Sequence, residues 1–364
     1  MDTFNSHSTL YISSLRQYLD TIQYHDTNYS REERLAALQH IYSETIKHLP
    51  LLPPGIPPKT LQHVIQTSTQ IVVCCWSKLP PPIMVDLSIY FVLLILLDDD
   101  GFESSGHESW DAAGDLLAGG QKRNVFWAAM APHLGNFVRH YGGFCGLAIL
   151  RSTLDFYTGC WVEKGGFGGF AGSLSFPWFL RNLNGLGDVS SVTMFPACMY
   201  DEETILNEIT TVMAELTPSI VLVNDLFSFY KECGRDEAPN FIANRCKTEG
   251  LSLEDSLRSL TAETCESTAR VLSVLKGRDA GVYDAVRGFV QGYVTWHICD
   301  DRYRLHELYD CCGEGSDEGR FREYFEEATA IGRFDVDEWA VPRDGIRNGE
   351  SGGREAMARM GGKL

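Results

Sequence analysis

The stretch 224-NDLFSFYKE-232 decides how this chain is read. Asn224, Ser228 and Glu232 fall at i, i+4 and i+8. A helix turns about 100° per residue, so this spacing stacks an amide oxygen, a hydroxyl and a carboxylate along one face. All three are hard oxygen donors, which suit Mg²⁺ and do not suit zinc or copper. Mg²⁺ is seldom caged by protein alone. It keeps waters and takes up phosphate oxygens of a substrate. Lys231 sits beside the triad as a ready phosphate contact. On an exposed helix the same spacing would be a solvated polar face. The flanks argue otherwise: Ile220, Val221, Leu222 and Val223 precede the triad, and Leu226, Phe227, Phe229 and Tyr230 lie within it. Polar groups set in an apolar helix are buried or face a cavity, and buried polar groups need partners.

A second acidic cluster, Asp98-Asp99-Asp100-Gly101-Phe102-Glu103, lies far upstream. It ends an apolar segment, Leu87 to Leu97, interrupted only by Ser88. Eleven residues are too few to span a bilayer, so the segment reads as a core helix. Carboxylates at its C-terminus are disfavoured by the helix dipole, and a cation would offset that penalty. Taken alone, the cluster reads better as a solvated acidic cap or turn. Together with the triad it predicts a shared Mg²⁺ site.

An aspartate-rich motif closing one apolar helix, with N-D-x-x-S-x-x-K-E on another, resembles the double signature of class I terpene cyclases. Further segments are similar to the fungal trichodiene-synthase-like group: TNYSREER (27–34), DLSI (86–89), RSTLDF (151–156), GCWVE (159–163), NGLG (184–187), GYVTWHICDDRYRL (292–305) and DEWAVP (337–342). They span roughly residues 10–342 in the family's order. The resemblance implies a Mg²⁺-dependent lyase on an all-α fold, a single helical bundle around a central apolar pocket. It would ionise farnesyl diphosphate and cyclise the cation to a sesquiterpene hydrocarbon or alcohol. A longer prenyl diphosphate such as geranylgeranyl diphosphate is the alternative substrate. A chain-elongating prenyltransferase or a non-catalytic prenyl-binding protein are the rival functions.

The resemblance also assigns residues. Asp98 and Asp99 with Asn224, Ser228 and Glu232 would hold the metal, three ions when substrate is bound. Arg181, Lys231, Arg302 and Tyr303 would bind diphosphate, with Arg302 pairing to Asp99 on closure. A guanidinium fork suits carboxylate and phosphate alike. Phe91, Phe156, Tyr293 and Trp296 would line the substrate pocket, since aromatic faces stabilise a cation without offering it a base. His297 reads as a hydrogen-bonded structural histidine. The chain departs from the family's D-D-x-x-D form, leaving two registers. Asp98 is the first ligand with Phe102 replacing the last aspartate, or the motif slides to Asp99-Asp100-x-x-Glu103. The first matches the flanks without a gap.

Composition narrows the partners. Of 364 residues, 31 are basic and 49 acidic, a net charge of −18. That argues against nucleic acid and anionic membranes. It also means that metal ions and a few cations must reverse the local field for a diphosphate. Eleven cysteines with no C-x-x-C pair, and a polar start from Met1 to Tyr11, fit a reducing, cytoplasmic setting. A homodimer is compatible with this reading.

Apolar residues recur at helical spacing in 61–79, 83–97, 144–161, 203–232, 255–276 and 283–307. Ser30 with Glu33 predicts a capped helix start. Pro53 to Pro58 and Pro80 to Pro82 predict loops. Gly165 to Gly172 lacks the context of a nucleotide fingerprint and reads as a tight interhelical turn. Residues 1–342 are expected to form one domain and 343–364, polar and glycine-rich, a disordered tail.

Overall fold

The computed structural model describes residues 2–50, 52, 56–98, 125–232, 240–313 and 315–340. Asp99 to Glu103 and the 343–364 segment lie outside the described residues. Among the described residues the secondary structure is helical, without a strand. In chain order the helices are α1 (Asp2–Thr21), α2 (Arg31–His48), α3 (Pro58–Cys75), α4 (Pro81–Asp98), α5 (Val125–Phe137), α6 (Gly143–Lys164), α7 (Phe176–Asn184), α8 (Gly187–Val192), α9 (Leu206–Glu232), α10 (Phe241–Glu249), α11 (Leu253–Leu275), α12 (Ala280–Cys299), α13 (Leu305–Cys311), α14 (Ser316–Gly332) and α15 (Val336–Trp339).

Helix α4 is buried around most of its circumference, as its long apolar run requires. It packs on α3, α2 and α5 and touches α6, where Tyr90 hydroxyl meets Thr153 Oγ1 at 2.8 Å. Helix α9 packs on α8, α11 and α12, and α3 packs on α12. These contacts set the C-terminal ends of α4, α9 and α12 around one core.

Length does not exclude a membrane span for the Leu87 to Leu97 run. The helix that carries it is Pro81–Asp98, and α4 and α9 are both long and apolar enough to cross a membrane. Of their apolar windows, 72% and 67% are buried inside the fold. Pro81 and Pro82 are not loop but the first turn of α4, and Pro58 opens α3. Proline lacks an N–H that the first turn would leave unpaired anyway. The expected helix 283–307 stops at Cys299. Asp300 Oδ1 accepts from Arg302 N at 3.0 Å and starts a 3₁₀ turn, Asp301–Tyr303, which ends at Arg304 with φ of 58°. Ser30 and Glu33 form the reciprocal cap of α2 as expected. Gly166, Gly169 and Gly172 all have positive φ in the α6–α7 turn, which side-chain-bearing residues rarely adopt.

The α1–α2 connection is fixed on α12 from within. Arg34 Nη2 donates to Asp26 Oδ2 at 2.8 Å, both side chains fully buried, and Asn28 Nδ2 donates to the Gly288 carbonyl at 2.8 Å. Gly292 is where α12 meets α3. A Cβ there would stand 1.9 Å from the Cys74 carbonyl oxygen. Gly292→Ala must therefore push α3 and α12 apart, and overpacking of this kind costs about 1–3 kcal/mol or more. We expect a clear drop in the urea midpoint of unfolding. An unchanged midpoint would contradict the α3–α12 contact.

Candidate active site

Helix α9 ends on Lys231-Glu232 and α4 ends on Asp98, so two apolar helices finish in acidic residues. Their ends are electrostatic neighbours. Burial lowers the pKa of Lys231, Arg302 lowers it further, and Glu232 and Asp98 oppose the fall. Lys231 Nζ lies 3.6 Å from Glu232 Oε1 and 5.0 Å from the Tyr303 ring centre. Arg302 lies over the same ring, at 5.6 Å. Thus the α4 terminus, the α9 terminus and the turn after α12 converge, and the broken helix is what directs Arg302 and Tyr303 there. Asp300 is held from the far side by Thr67 Oγ1 at 3.1 Å.

Arg181, on α7, is more heavily engaged than a surface arginine. Its Nε donates to Asp225 Oδ2 at 2.9 Å and its Nη2 to Asn224 Oδ1 at 2.9 Å. Burial raises the pKa of the Asp225 carboxyl and Arg181 opposes the rise, leaving it at about 6. Burial lowers the pKa of the guanidinium, and Asp225 leads the contacts that leave it raised overall. The sequence does not single out Asp225. Its place next to Asn224, off the face of the triad, conceals it.

Ser228 Oγ is buried, with no hydrogen-bond partner among the described residues. An orphaned hydroxyl between an amide and a carboxylate on one helix face fits a ligand set for a hard cation. Among the described residues no three His, Cys, Asp or Glu side chains gather as an alternative metal set. Asp98 Oδ1 lies 3.9 Å from Cys160 Sγ on α6. Asp99 and its expected pairing with Arg302 fall outside the described residues.

The four aromatic candidates are all buried. Tyr293 and Trp296 stack with centroids 5.8 Å apart, and Trp296 meets Tyr303 edge-on at 5.2 Å. The array continues through Phe289 to Trp76 (5.4 and 5.0 Å), and Trp76 reaches Phe91 at 5.4 Å. Phe156 is buried on α6 and makes no ring contact with this array among the described residues. Trp76 and Phe289 escape a reading of the sequence, where nothing separates a wall aromatic from a packing one. His297 is hydrogen-bonded within its own helix, Nδ1 to the Tyr293 carbonyl at 2.7 Å. It is fully buried, and burial lowers its pKa to about 3. A groove of about 570 Å³ between Gly142–Gly143 and Ala197–Glu203 contains none of these residues.

Glu163 gains its role only from the structure. It accepts a short hydrogen bond from Asn184, whose Oδ1 in turn accepts from Arg181 at 3.3 Å. Burial, and after it the charge of Asp98, raise its pKa to about 7. Its unfolded value is near 4.3, on the order of an ordinary glutamate. Between about 4.5 and 7 the folded chain therefore binds more protons than the unfolded one, and this group's contribution to stability falls as pH rises. Glu163→Gln, held in chelator, is expected to flatten that decline and to be more stable than wild type at about pH 8. Parallel melting-temperature profiles from about pH 5 to 8 for the two proteins would contradict the assignment.

The family model described as Trichodiene synthase (TRI5) matches residues 5–352. Terpene cyclase pbrA of Penicillium brasilianum is 39% identical over 351 residues, 95% of this chain and 86% of the relative. The trichodiene synthase of Fusarium pseudograminearum is 38% identical over 346 residues, 91% of this chain and 90% of the relative. Among solved structures, 2-methylisoborneol synthase from Streptomyces coelicolor A3(2), in complex with Mg²⁺ and geranyl-S-thiolodiphosphate, matches with a TM-score of 0.42 at 16% identity, covering 75% of this chain and 93% of that one. The family match takes in both acid-terminated helices and the turn after α12, and the chain belongs to the trichodiene synthase family.

Proposed function

We propose that this chain is a Mg²⁺-dependent terpene cyclase. It ionises farnesyl diphosphate and closes the allylic cation to a cyclic sesquiterpene, hydrocarbon or alcohol, with release of diphosphate. Family membership supports the reaction class. The observation that carries the assignment of the site is the orphaned Ser228 hydroxyl on the face it shares with Asn224 and Glu232, close to the terminus that bears Asp98. We assign Asn224, Ser228 and Glu232 to one side of the metal site and Asp98, with Asp99, to the other, for up to three ions in the substrate complex. When bound, Mg²⁺ supplies Lewis-acid stabilisation of the negative charge that grows on the leaving diphosphate.

The protein's own groups do the rest. Arg181, Lys231 and Arg302 neutralise diphosphate oxygens, and Tyr303 adds its hydroxyl. The substrate C1–O bond breaks with its electron pair on the diphosphate. Tyr293, Trp296 and Phe91, with Trp76 and Phe289, then offer π faces to the cation, each worth about 0.5–2 kcal/mol. They present no base that would quench it early. Phe156 is assigned to the opposite wall, on α6. The burial of α4 and α9 in the fold supports their reading as core helices, and the described cysteines are free thiols, which supports a cytoplasmic enzyme. The net charge of −18 weighs against a nucleic-acid partner. We read residues 1–342 as one catalytic domain.

The direct test is incubation of the purified chain with Mg²⁺ and, separately, geranyl, farnesyl and geranylgeranyl diphosphate, with gas chromatography of the extract. A cyclic sesquiterpene from the farnesyl substrate is expected. Chain-elongated diphosphates, or no turnover of any substrate, would sink the reading. Asn224→Ala and Glu232→Ala should each lower turnover about 100-fold or more while leaving the fold intact, because electrostatic stabilisation is usually the largest catalytic contribution. Near wild-type rates in both would remove the triad from the site. Asp98→Asn should damage turnover far more than Asp100→Asn, with Glu103→Gln close to wild type; the reverse ranking would establish the shifted register. Trimming Phe91 or Trp296 should redistribute products with a smaller loss of rate. An unchanged product profile in both would return these aromatics to plain core packing.

A further inference from the structure

Asn224 can serve as a metal ligand only through its oxygen. A carboxamide has two ends of nearly equal shape, and turning it over would aim an NH₂ donor at the cation. Helix geometry does not choose between the ends. The surroundings of Asn224 do. On one side Arg181 Nη2 lies 2.9 Å from Asn224 Oδ1, and a guanidinium only donates. On the other side Asn224 Nδ2 lies 3.3 Å from His297 Nε2 and 3.1 Å from the Tyr303 hydroxyl.

His297 is an acceptor at that position because of its other nitrogen. Nδ1 lies 2.7 Å from the Tyr293 carbonyl oxygen, one helical turn back on α12. A carbonyl can only accept, so Nδ1 carries the hydrogen, and in the neutral ring Nε2 presents a lone pair towards Asn224 Nδ2. The ring cannot turn to exchange the two. It is fully buried, with Tyr293, Trp296 and Tyr303 centroids at 4.3, 4.6 and 4.5 Å and Phe227 at 5.1 Å. An inverted Asn224 would set its oxygen against that lone pair and its NH₂ against Arg181, two repulsive contacts in place of two hydrogen bonds. With both Nδ2 hydrogens engaged, the second lone pair of Oδ1 is left for a metal.

We propose that His297 is a positioning residue: its Nε2 lone pair fixes the Asn224 carboxamide so that oxygen is the end offered to Mg²⁺. The proposal rests on the metal reading of Asn224, Ser228 and Glu232 given above. Partners that orient metal ligands in this way typically contribute about 10–100-fold to metal affinity.

The test compares His297→Gln with His297→Asn. The Gln amide oxygen reaches the place of Nε2, whereas the Asn amide stops at the place of Nδ1. Both changes are polar and of similar size, so folding alone does not separate them. Mn²⁺ binding is measured by electron paramagnetic resonance in the presence of inorganic pyrophosphate, with far-ultraviolet circular dichroism as the check on fold. His297→Asn should weaken Mn²⁺ binding about 10-fold or more, and His297→Gln should stay close to wild type. Asn224→Ala is measured alongside. Equal affinities in the Gln and Asn variants, with Asn224→Ala impaired, would overturn the role of His297 and leave the metal site standing. Wild-type affinity in Asn224→Ala would overturn the metal site, and the role of His297 with it.

Discussion

A helix that is apolar nearly all round and ends in a carboxylate is electrostatically unfinished. Its last carbonyls already carry partial negative charge, and the acidic side chain adds to it. This chain does so twice, at Asp98 and at Glu232, and brings the two ends near each other. The protein meets some of the demand itself. Lys231, Arg302 and Arg181 gather at the same place, and each has a carboxylate or an aromatic face as partner. The same cations explain how so acidic a protein can receive a diphosphate.

Polarity is graded below that cluster. Tyr303 stands at the boundary, with Lys231 and Arg302 against its ring and its hydroxyl on Asn224. Beneath it the rings pass from Trp296 and Tyr293 to Phe289, Trp76 and Phe91, crossing from α12 to α3 and α4. Trp76 is anchored by its indole N–H on Thr193 at 3.0 Å, so its face is fixed. Ionic groups at one end and π surface at the other match a substrate with a charged head and a hydrocarbon tail. The close α3–α12 approach at Gly292 keeps the two halves of this wall in register.

What can be read along the chain is what short-range pattern fixes. The triad is legible because i, i+4, i+8 spacing and apolar flanks determine both its face and its burial. The capped start at Ser30 and the glycine turn after α6 follow from local backbone chemistry. The break at Asp300 is hidden, because Tyr303 and Leu305 carry the apolar spacing past Cys299, while Asp300 turns extended and accepts the capping bond from Arg302. Asp225, Glu163 and Trp76 are hidden for a different reason. Their partners, Arg181, Asn184 and Thr193, are separated from them in sequence by 44, 21 and 117 residues. No short window along the chain contains both members of such a pair. The tautomer of His297 belongs to the same class, since the Asn224 amide that reads it is carried by a different helix.

The central claim is that Asn224, Ser228 and Glu232 on one helix end, facing Asp98 on another, bind divalent metal for a diphosphate. The most direct measurement is an anomalous difference map from crystals of the chain grown with Mn²⁺ and inorganic pyrophosphate. One peak is expected within bonding distance of Asn224 Oδ1, Ser228 Oγ and Glu232, and another at Asp98, with pyrophosphate between them and in contact with Arg181, Lys231 and Arg302. Metal bound elsewhere, with Ser228 Oγ still unliganded, would contradict it.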